Sequence, residues 1–350
     1  MAVVVTLLVA QVVGATAVLA WLDDDSTPPA AAEPVWIHLN PDAKLSPAPS
    51  PTPSPTPKAV VKPKPAGPAV TARAAAPKPA PKPKKSVDRL AALRGLSTWV
   101  DLYDYGSGAN KPVSTLVAQA ASHHVTTIWV QTSRYNTATI KYPAALGELM
   151  DASHARGIKV IAWVLPEFRS VSADLAKAKA AAAFRSPRGH RFAALGLDIE
   201  VSTGAKADDR NARLKALTRK VYGHVGMPTI AIVPPPVGFS RHPEYWPDFP
   251  WRDVAAHADA IATMGYWSFS NAEAGSYTAT TIKQTRSLVD NASYPVHVIG
   301  GLAEDTTPAG AAAFCRAARS GNALGASLYD LTSMPASLWS PLQACRKVGH

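Results

Sequence analysis

The sequence predicts an α/β protein built on an eight-stranded parallel (β/α)8 barrel of the TIM type. Three observations predict it. Eight short apolar runs recur between residues 97 and 329. Their starts lie 29, 32, 35, 36, 31, 36 and 28 residues apart, the length of one strand–helix unit. Amphipathic stretches separate them, as at Leu146–Ala155, Asp208–Val221 and Ala311–Ala318. Apolar strands alternating with helices imply a parallel sheet covered on its faces. A doubly wound open sheet is the alternative. It usually carries a glycine-rich phosphate loop after the first strand, and Tyr105-Gly106-Ser107-Gly108 lacks the full spacing.

In chain order, residues 1–25 read as a signal peptide or membrane anchor, preceding the barrel as an apolar helix. Ala2 to Leu22 is free of charge, and Asp23, Asp24 and Asp25 end the run. Twenty-one such residues can span a bilayer. The triplet Val18-Leu19-Ala20 also fits cleavage after Ala20. Extracytoplasmic placement follows from either reading, and any membrane contact is assigned to this segment alone.

Residues 26–90 read as a disordered linker rich in Pro, Lys and Ala. Fourteen of the 32 prolines fall between Pro41 and Pro83. Each fixes φ and removes a donor, so the chain extends as polyproline II. At about 3.1 Å per residue, forty such residues reach on the order of 100 Å. Between Pro41 and Ser86 the net charge is +8. An anionic cell-envelope polymer is the attractor expected for this arm. Nucleic acid is not expected, because no aromatic residue lies between Val60 and Ser86 to stack on a base.

Residues 91–350 are the expected barrel, large enough for one core and expected to be monomeric. The strands are placed at Ser97–Tyr103, Thr126–Thr132, Ile158–Leu165, Ala193–Val201, Thr229–Val233, Ala260–Tyr266, Val296–Gly300 and Leu324–Tyr329. Ser172 is read as the cap of a helix starting at Ala173, with Asp174 in its first turn. The two cysteines, Cys315 and Cys345, are expected to pair, as suits an exported protein. No ligand-spaced His or acid accompanies either, and neither metal nor cofactor is predicted.

Barrel active sites lie at the C-terminal ends of the strands. Carboxylates stand there after most strands, with several aromatics. That is the lining of a sugar-cleaving site. On the fourth strand Gly196, Asp198 and Glu200 alternate with Leu195, Leu197 and Ile199. Period two turns the first set into the barrel and the second toward the helices. Asp198 and Glu200 then lie roughly 6–7 Å apart at Cβ. Like charges that close raise one pKa, as a general acid at neutral pH requires. Glycoside hydrolysis needs such an acid to protonate the leaving oxygen. The plain alternative is that both acids pair with an inward base such as Arg134.

The run Leu195-Gly196-Leu197-Asp198-Ile199-Glu200, with Met264-Gly265-Tyr266 two strands later, resembles family 18 glycoside hydrolases, the chitinases and their relatives. The resemblance implies that Glu200 is the general acid. It implies that Asp198 holds a substrate acetamido group, whose oxygen attacks in place of an enzyme nucleophile, and that Tyr266 steadies that group. The chain departs from the family at Ala193 and Gly196, where members carry Asp. It departs again at Trp267, where an Asp follows the Tyr. The fourth strand also resembles family 25 lysozymes, which share Asp-x-Glu there and an Asp on the first strand, matched by Asp101.

Six further residues are predicted to bind substrate. Asp101 shares parity with Trp99 and Tyr103, so it is placed in the lumen and Asp104 outside it. Gln131 and Glu167 end the second and third strands, Tyr266 and Trp267 the sixth. Trp267 is the preferred stacking residue. Tyr329 shares parity with Gly325 and Ser327 and is preferred to Asp330. Trp99, Trp129 and Trp163 are read as core, and His297 as a satisfied core histidine. The aromatics Phe239, Tyr245, Trp246 and Trp251 after Pro234-Pro235-Pro236 are read as a cleft wall or as packing. The predicted function is an exported glycoside hydrolase acting on a cell-wall or extracellular polysaccharide. A barrel that binds polysaccharide without cleaving it, or an envelope module, is the alternative.

Overall fold

The strands are buried on both faces, as a closed parallel sheet requires. In the computed structural model, which describes residues 88–106, 108–109, 111–200 and 206–350, eight parallel strands form a closed barrel in chain order. They are β1 (Gly95–Val100), β2 (Thr127–Arg134), β3 (Lys159–Leu165), β4 (Leu195–Asp198), β5 (Thr229–Val233), β6 (Ala260–Met264), β7 (Val296–Leu302) and β8 (Gly325–Tyr329). β1 pairs with β8 from Gly95 opposite Gly325 onward, which shuts the cylinder. The expected N-terminal helix, and the expected linker as far as residue 87, lie outside the described residues. No helix among the described residues is long and apolar enough to cross a membrane.

The helices are α1 (Leu102–Tyr105), α2 (Val113–Ser122), α3 (Pro143–His154), α4 (Val171–Ala183), α5 (Ala207–His224), α6 (Pro236–Arg241), α7 (Trp251–Ala255), α8 (Ala274–Leu288), α9 (Pro308–Ser320) and α10 (Trp339–Leu342). Several boundaries differ from expectation: β4 is Leu195–Asp198 rather than Ala193–Val201, so Glu200 lies just past the strand, and β6 ends at Met264 rather than Tyr266. α4 is capped by Ser170, whose hydroxyl accepts from the Ala173 amide, so the helix begins before Ser172. Strand β1 stops at Val100, because Asp101 turns its carboxylate onto the backbone and caps α1. Three extended residues were expected beyond that point, and their alternation is lost.

Two layers of core result. Outward residues such as Leu96, Val130, Leu195, Leu197 and Ile199 pack against the helices. Inward residues fill the lumen, chiefly Trp99, Trp129, Ile161, Trp163, Ile230 and Ile232. Trp99 and Trp129 stack at 4.6 Å, and Trp163 meets Trp99 edge-on at 5.9 Å. Below them lies a polar seam. Trp99 Nε1 donates to Ser327 at 2.9 Å, and Trp129 Nε1 to Ser97 at 3.2 Å. His297 Nε2 sits 3.0 Å from Ser327 Oγ, and its Nδ1 is 3.2 Å from the Leu93 carbonyl. Burial holds His297 well below the usual histidine range, at about 4, so it is a neutral core residue. With the lower lumen filled, the described lumen is open to a ligand at its C-terminal mouth.

The last turn, Gln343–Lys347, packs under the barrel, where the Gly95 amide donates to the Val348 carbonyl at 3.0 Å. A Cys315–Cys345 disulfide ties that turn to α9 across 30 residues. Closing a loop of that length stabilises by about 3–4 kcal/mol in the chain-entropy account. Reduction is expected to lower the thermal midpoint, with circular dichroism under thiol as the measurement. An unchanged midpoint with both thiols titratable counts against this contribution.

Candidate active site

At the mouth, β4 behaves as its alternation dictates. Gly196 faces the lumen, and a Cβ there would come within 2.7 Å of Ile232 and 3.3 Å of Trp163. The bulk of those neighbours occupies the space in which a further inward acid would stand. Asp198 ends the strand. It is 7% exposed, and its Oδ1 has no hydrogen-bond partner among the described residues. Burial first, and the neighbouring Glu200 second, hold its carboxyl well above the usual range.

Glu200 follows two residues past the end of the strand. The Tyr245 hydroxyl donates to its backbone carbonyl and fixes where the side chain starts. Its carboxyl opens on a small apolar pocket of about 60 Å³, walled by Pro234, Phe239, Tyr245, Met264, Tyr266 and Tyr277. Desolvation in that setting lifts Glu200 to about 7. A carboxyl poised there can give up a proton near neutrality. Tyr266 stands over both acids, and its phenol is pushed up by burial and then by Glu200 and Asp198.

A second carboxylate group faces this pair across the mouth. Asp101 Oδ1 accepts from the amides of Tyr103 at 2.7 Å and Asp104 at 3.2 Å, and Asp104 Oδ2 accepts from the Asp101 amide at 2.8 Å. This is a reciprocal capping box. The Tyr329 hydroxyl donates to Asp101 Oδ2 at 2.9 Å. Thr332 Oγ1 lies 2.7 Å from Asp104 Oδ1 and 2.9 Å from Asp330 Oδ1, and the Ser333 amide donates to Asp330. Burial, then Asp101 and Asp330, raise Asp104 to about 8. Carboxylate oxygens of Asp101, Asp104 and Asp330 lie within 4.8 Å of one another, a spacing a divalent cation can bridge. Each already accepts a hydroxyl or amide hydrogen bond, so the geometry is equally that of a hydrogen-bonded rim.

The structure thus brings together Asp198, Glu200 and Tyr266 on one side, and Asp101 and Tyr329 on the other. It does not bring in all the residues predicted to bind substrate. Trp267 is buried between sheet and helices, 5.3 Å from Phe314 and against Gly300 and Gly301, so its indole is no stacking platform. The reason is a turn of 3-10 helix, Trp267–Ser270, that rotates it outward past Tyr266. Gln131 is buried, and its Oε1 accepts from the Leu102 amide at 3.3 Å, supporting the β1–α1 turn. Glu167 pairs with Arg169 at 2.9 Å on the β3–α4 loop, which Asp174 anchors by accepting from the Glu167 and Phe168 amides. Tyr103 is 54% exposed rather than inward, because α1 replaces the end of the strand.

Parity puts Asp104 outside the lumen and prefers Tyr329 to Asp330, yet the structure sets both Asp104 and Asp330 beside Asp101. The Asp-x-x-Asp spacing of a capping box was the signal for Asp104. Tyr245 carried no signal beyond its place in an aromatic loop. Of that loop, Trp246 and Trp251 pack into the core, while Phe239 and Tyr245 wall the Glu200 pocket.

No protein-family model and no curated sequence matches the chain. Solved structures do resemble it. A chitinase from Chromobacterium violaceum superposes with a TM-score of 0.52 at 14% identity, covering 72% of this chain and 98% of that one. The spore cortex-lytic enzyme SleL of Bacillus cereus gives 0.54 at 8%, covering 73% and 76%. The PgaB glycoside hydrolase domain of Bordetella bronchiseptica gives 0.52 at 11%, covering 73% and 99%. The chain therefore has a barrel fold like those of several glycoside hydrolases. At these identities the likeness speaks to the fold, and the chemistry rests on this chain's own residues.

Proposed function

We propose that this chain is a glycoside hydrolase acting outside the cytoplasm on a cell-wall or extracellular polysaccharide, with Glu200 as the general acid. The observation that carries the reading is the carboxyl pair at the end of β4, with Glu200 raised to about 7 beside an apolar pocket. In this reading the protonated Glu200 gives its proton to the leaving glycosidic oxygen. Asp198, deeper and on the same face, stands beside the sugar carbon, where water adds as the bond to the leaving oxygen breaks. Tyr266 orients the reacting ring. The apolar run at 1–25 is proposed to export or anchor the chain, and the cationic segment 41–86 to hold it against an anionic envelope polymer.

The test is release of reducing ends from peptidoglycan, chitin oligomers, glucans and galactosaminoglycans by the full chain, with Glu200→Gln in parallel. Release that persists unchanged in the variant excludes Glu200 as the acid. A barrel that only binds polysaccharide is the second reading. Ala193 and Gly196 favour it, since the family resembled carries Asp at both places. It predicts saturable binding without product.

The pH dependence has a definite sign. A general acid works only while protonated, so kcat is expected to fall as pH rises through about 7. Stability carries the same signature. Folding raises the Glu200 pKa from 4.5 to about 7, so its contribution is full below 4.5 and is lost as pH rises to about 7. Thermal midpoints of the wild type and Glu200→Gln across this window check it. Parallel curves for the two proteins count against a raised Glu200.

A further inference from the structure

Six carboxylates stand at the C-terminal ends of the strands: Asp198 ends β4 and Glu200 follows it, Glu304 follows β7, Asp330 follows β8, and Asp101 and Asp104 stand at the start of α1. Tyr266 links the two sides, since Glu200, Asp198, Asp330 and Glu304 all act on its phenol. Tyr329 joins Asp101, Asp104 and Asp330 from the other direction. Among the described residues, none of the six forms an ion pair. Arg134, the base offered by sequence as a partner for Asp198 and Glu200, instead donates to the Tyr103 hydroxyl at 2.6 Å, with its guanidinium 5.6 Å from that ring. This concentration of acid stands out in a chain whose residues 87–350 carry +7.

A second observation, independent of the charge count, points to a ligand. Asp198 is more than nine-tenths buried, faces the mouth, and has an Oδ1 without a partner. Trp163, on the adjacent strand and 4% exposed, likewise has an Nε1–H without a partner. Buried polar atoms are rarely left unmatched unless something else fills the bond. Once ionised, Asp198 can take only a donor at that oxygen, while Trp163 calls for an acceptor.

We infer that the glycan taken by this mouth carries free amino groups, as in a hexosamine polymer lacking some or all of its N-acetyl groups. The inference deepens the glycoside-hydrolase reading and rests on it. A protonated amine supplies the donor that Asp198 lacks and the cation that the six carboxylates lack. An acetamido N–H can also donate to Asp198, but it brings no charge to the carboxylates around it. Binding an ammonium also draws protons off the raised carboxyls, so binding near neutrality is coupled to proton release.

The experiment uses the full chain carrying Glu200→Gln, which can bind without turnover. Glucosamine hexasaccharide, N-acetylglucosamine hexasaccharide and cellohexaose are titrated in turn, in two buffers of different ionisation enthalpy and with chelator present. The amine-bearing oligomer is expected to bind at least about tenfold more tightly than the other two, the scale of one partly screened charge pair. That advantage should shrink with added salt, and binding should release protons to the buffer. Asp330→Asn on the same background should narrow the preference several-fold, a ratio that a purely structural role for Asp330 would leave unmoved.

Equal affinity for the three oligomers, preference for the N-acetylated one, or binding to none overturns the inference. The hydrolase reading is scored separately, on the wild-type chain. Tight binding of the glucosamine oligomer without cleavage keeps the inference and removes the hydrolase. Cleavage of neutral oligomers without amine preference does the reverse.

Discussion

Replacing Glu200 by Gln is expected to lower glycan cleavage by about 10²–10⁴-fold, the usual contribution of a positioned proton donor. The isostere keeps the shape of the side chain and the backbone carbonyl that accepts from Tyr245. What it removes is the proton. The loss should therefore fall on kcat, with KM little changed, because the interaction lost is one made only in the transition state. The descending limb of the pH profile near pH 7 should vanish with it, since that limb is assigned to Glu200. A variant that loses activity but keeps the limb would show that another group is the acid. Asp198 would be examined next, its own carboxyl being held high by burial and by Glu200. Glu200→Asp is a useful companion, because it restores a carboxyl one methylene short and should recover part of kcat.

Trp129→Ala should be the most destabilising change in the lumen, at about 3–5 kcal/mol. Trp129 is fully buried and stacks on Trp99 at 4.6 Å, while its indole N–H donates to Ser97. Truncation opens a cavity bounded by β-strands, which cannot collapse into it without breaking the barrel. It also takes a donor from the polar seam around His297. The denaturant midpoint should fall while the slope of the transition holds, since the surface exposed on unfolding changes little. Trp129→Phe keeps the stack and should cost far less. A loss under about 1 kcal/mol for the alanine variant would mean that the lumen is not the rigid base on which the mouth is built.

Much of the fold was legible because barrel strands repeat one simple pattern. At β4 the alternation of Gly196 and Asp198 with Leu195 and Leu197 told which side chains turn inward, and the inner and outer cores observe it. The same rule failed at β1, β6 and β8, always at the strand end. Period-two reasoning holds only while the backbone is extended. Asp101 ends β1 by capping its own amides, a 3-10 turn swings Trp267 into the outer layer, and Asp330 rejoins the rim through Thr332 and Ser333. The site sits where strands become loops, so the rule lapses just where the chemistry begins.

Sequence by itself determined the eight-fold strand–helix repeat, the inward pair Asp198 and Glu200, and the partnership of Cys315 with Cys345. Each is a matter of local periodicity or of a small set of possible partners. Tertiary structure alone decided that Asp104 and Asp330 join Asp101, that Arg134 turns away to Tyr103, and that Trp267 lies behind the wall of the barrel rather than in its mouth. Those outcomes depend on which loops meet after the sheet closes. Strand β8 returns beside β1 only when all eight strands are in place, and the charges of one rim then confront those of the other.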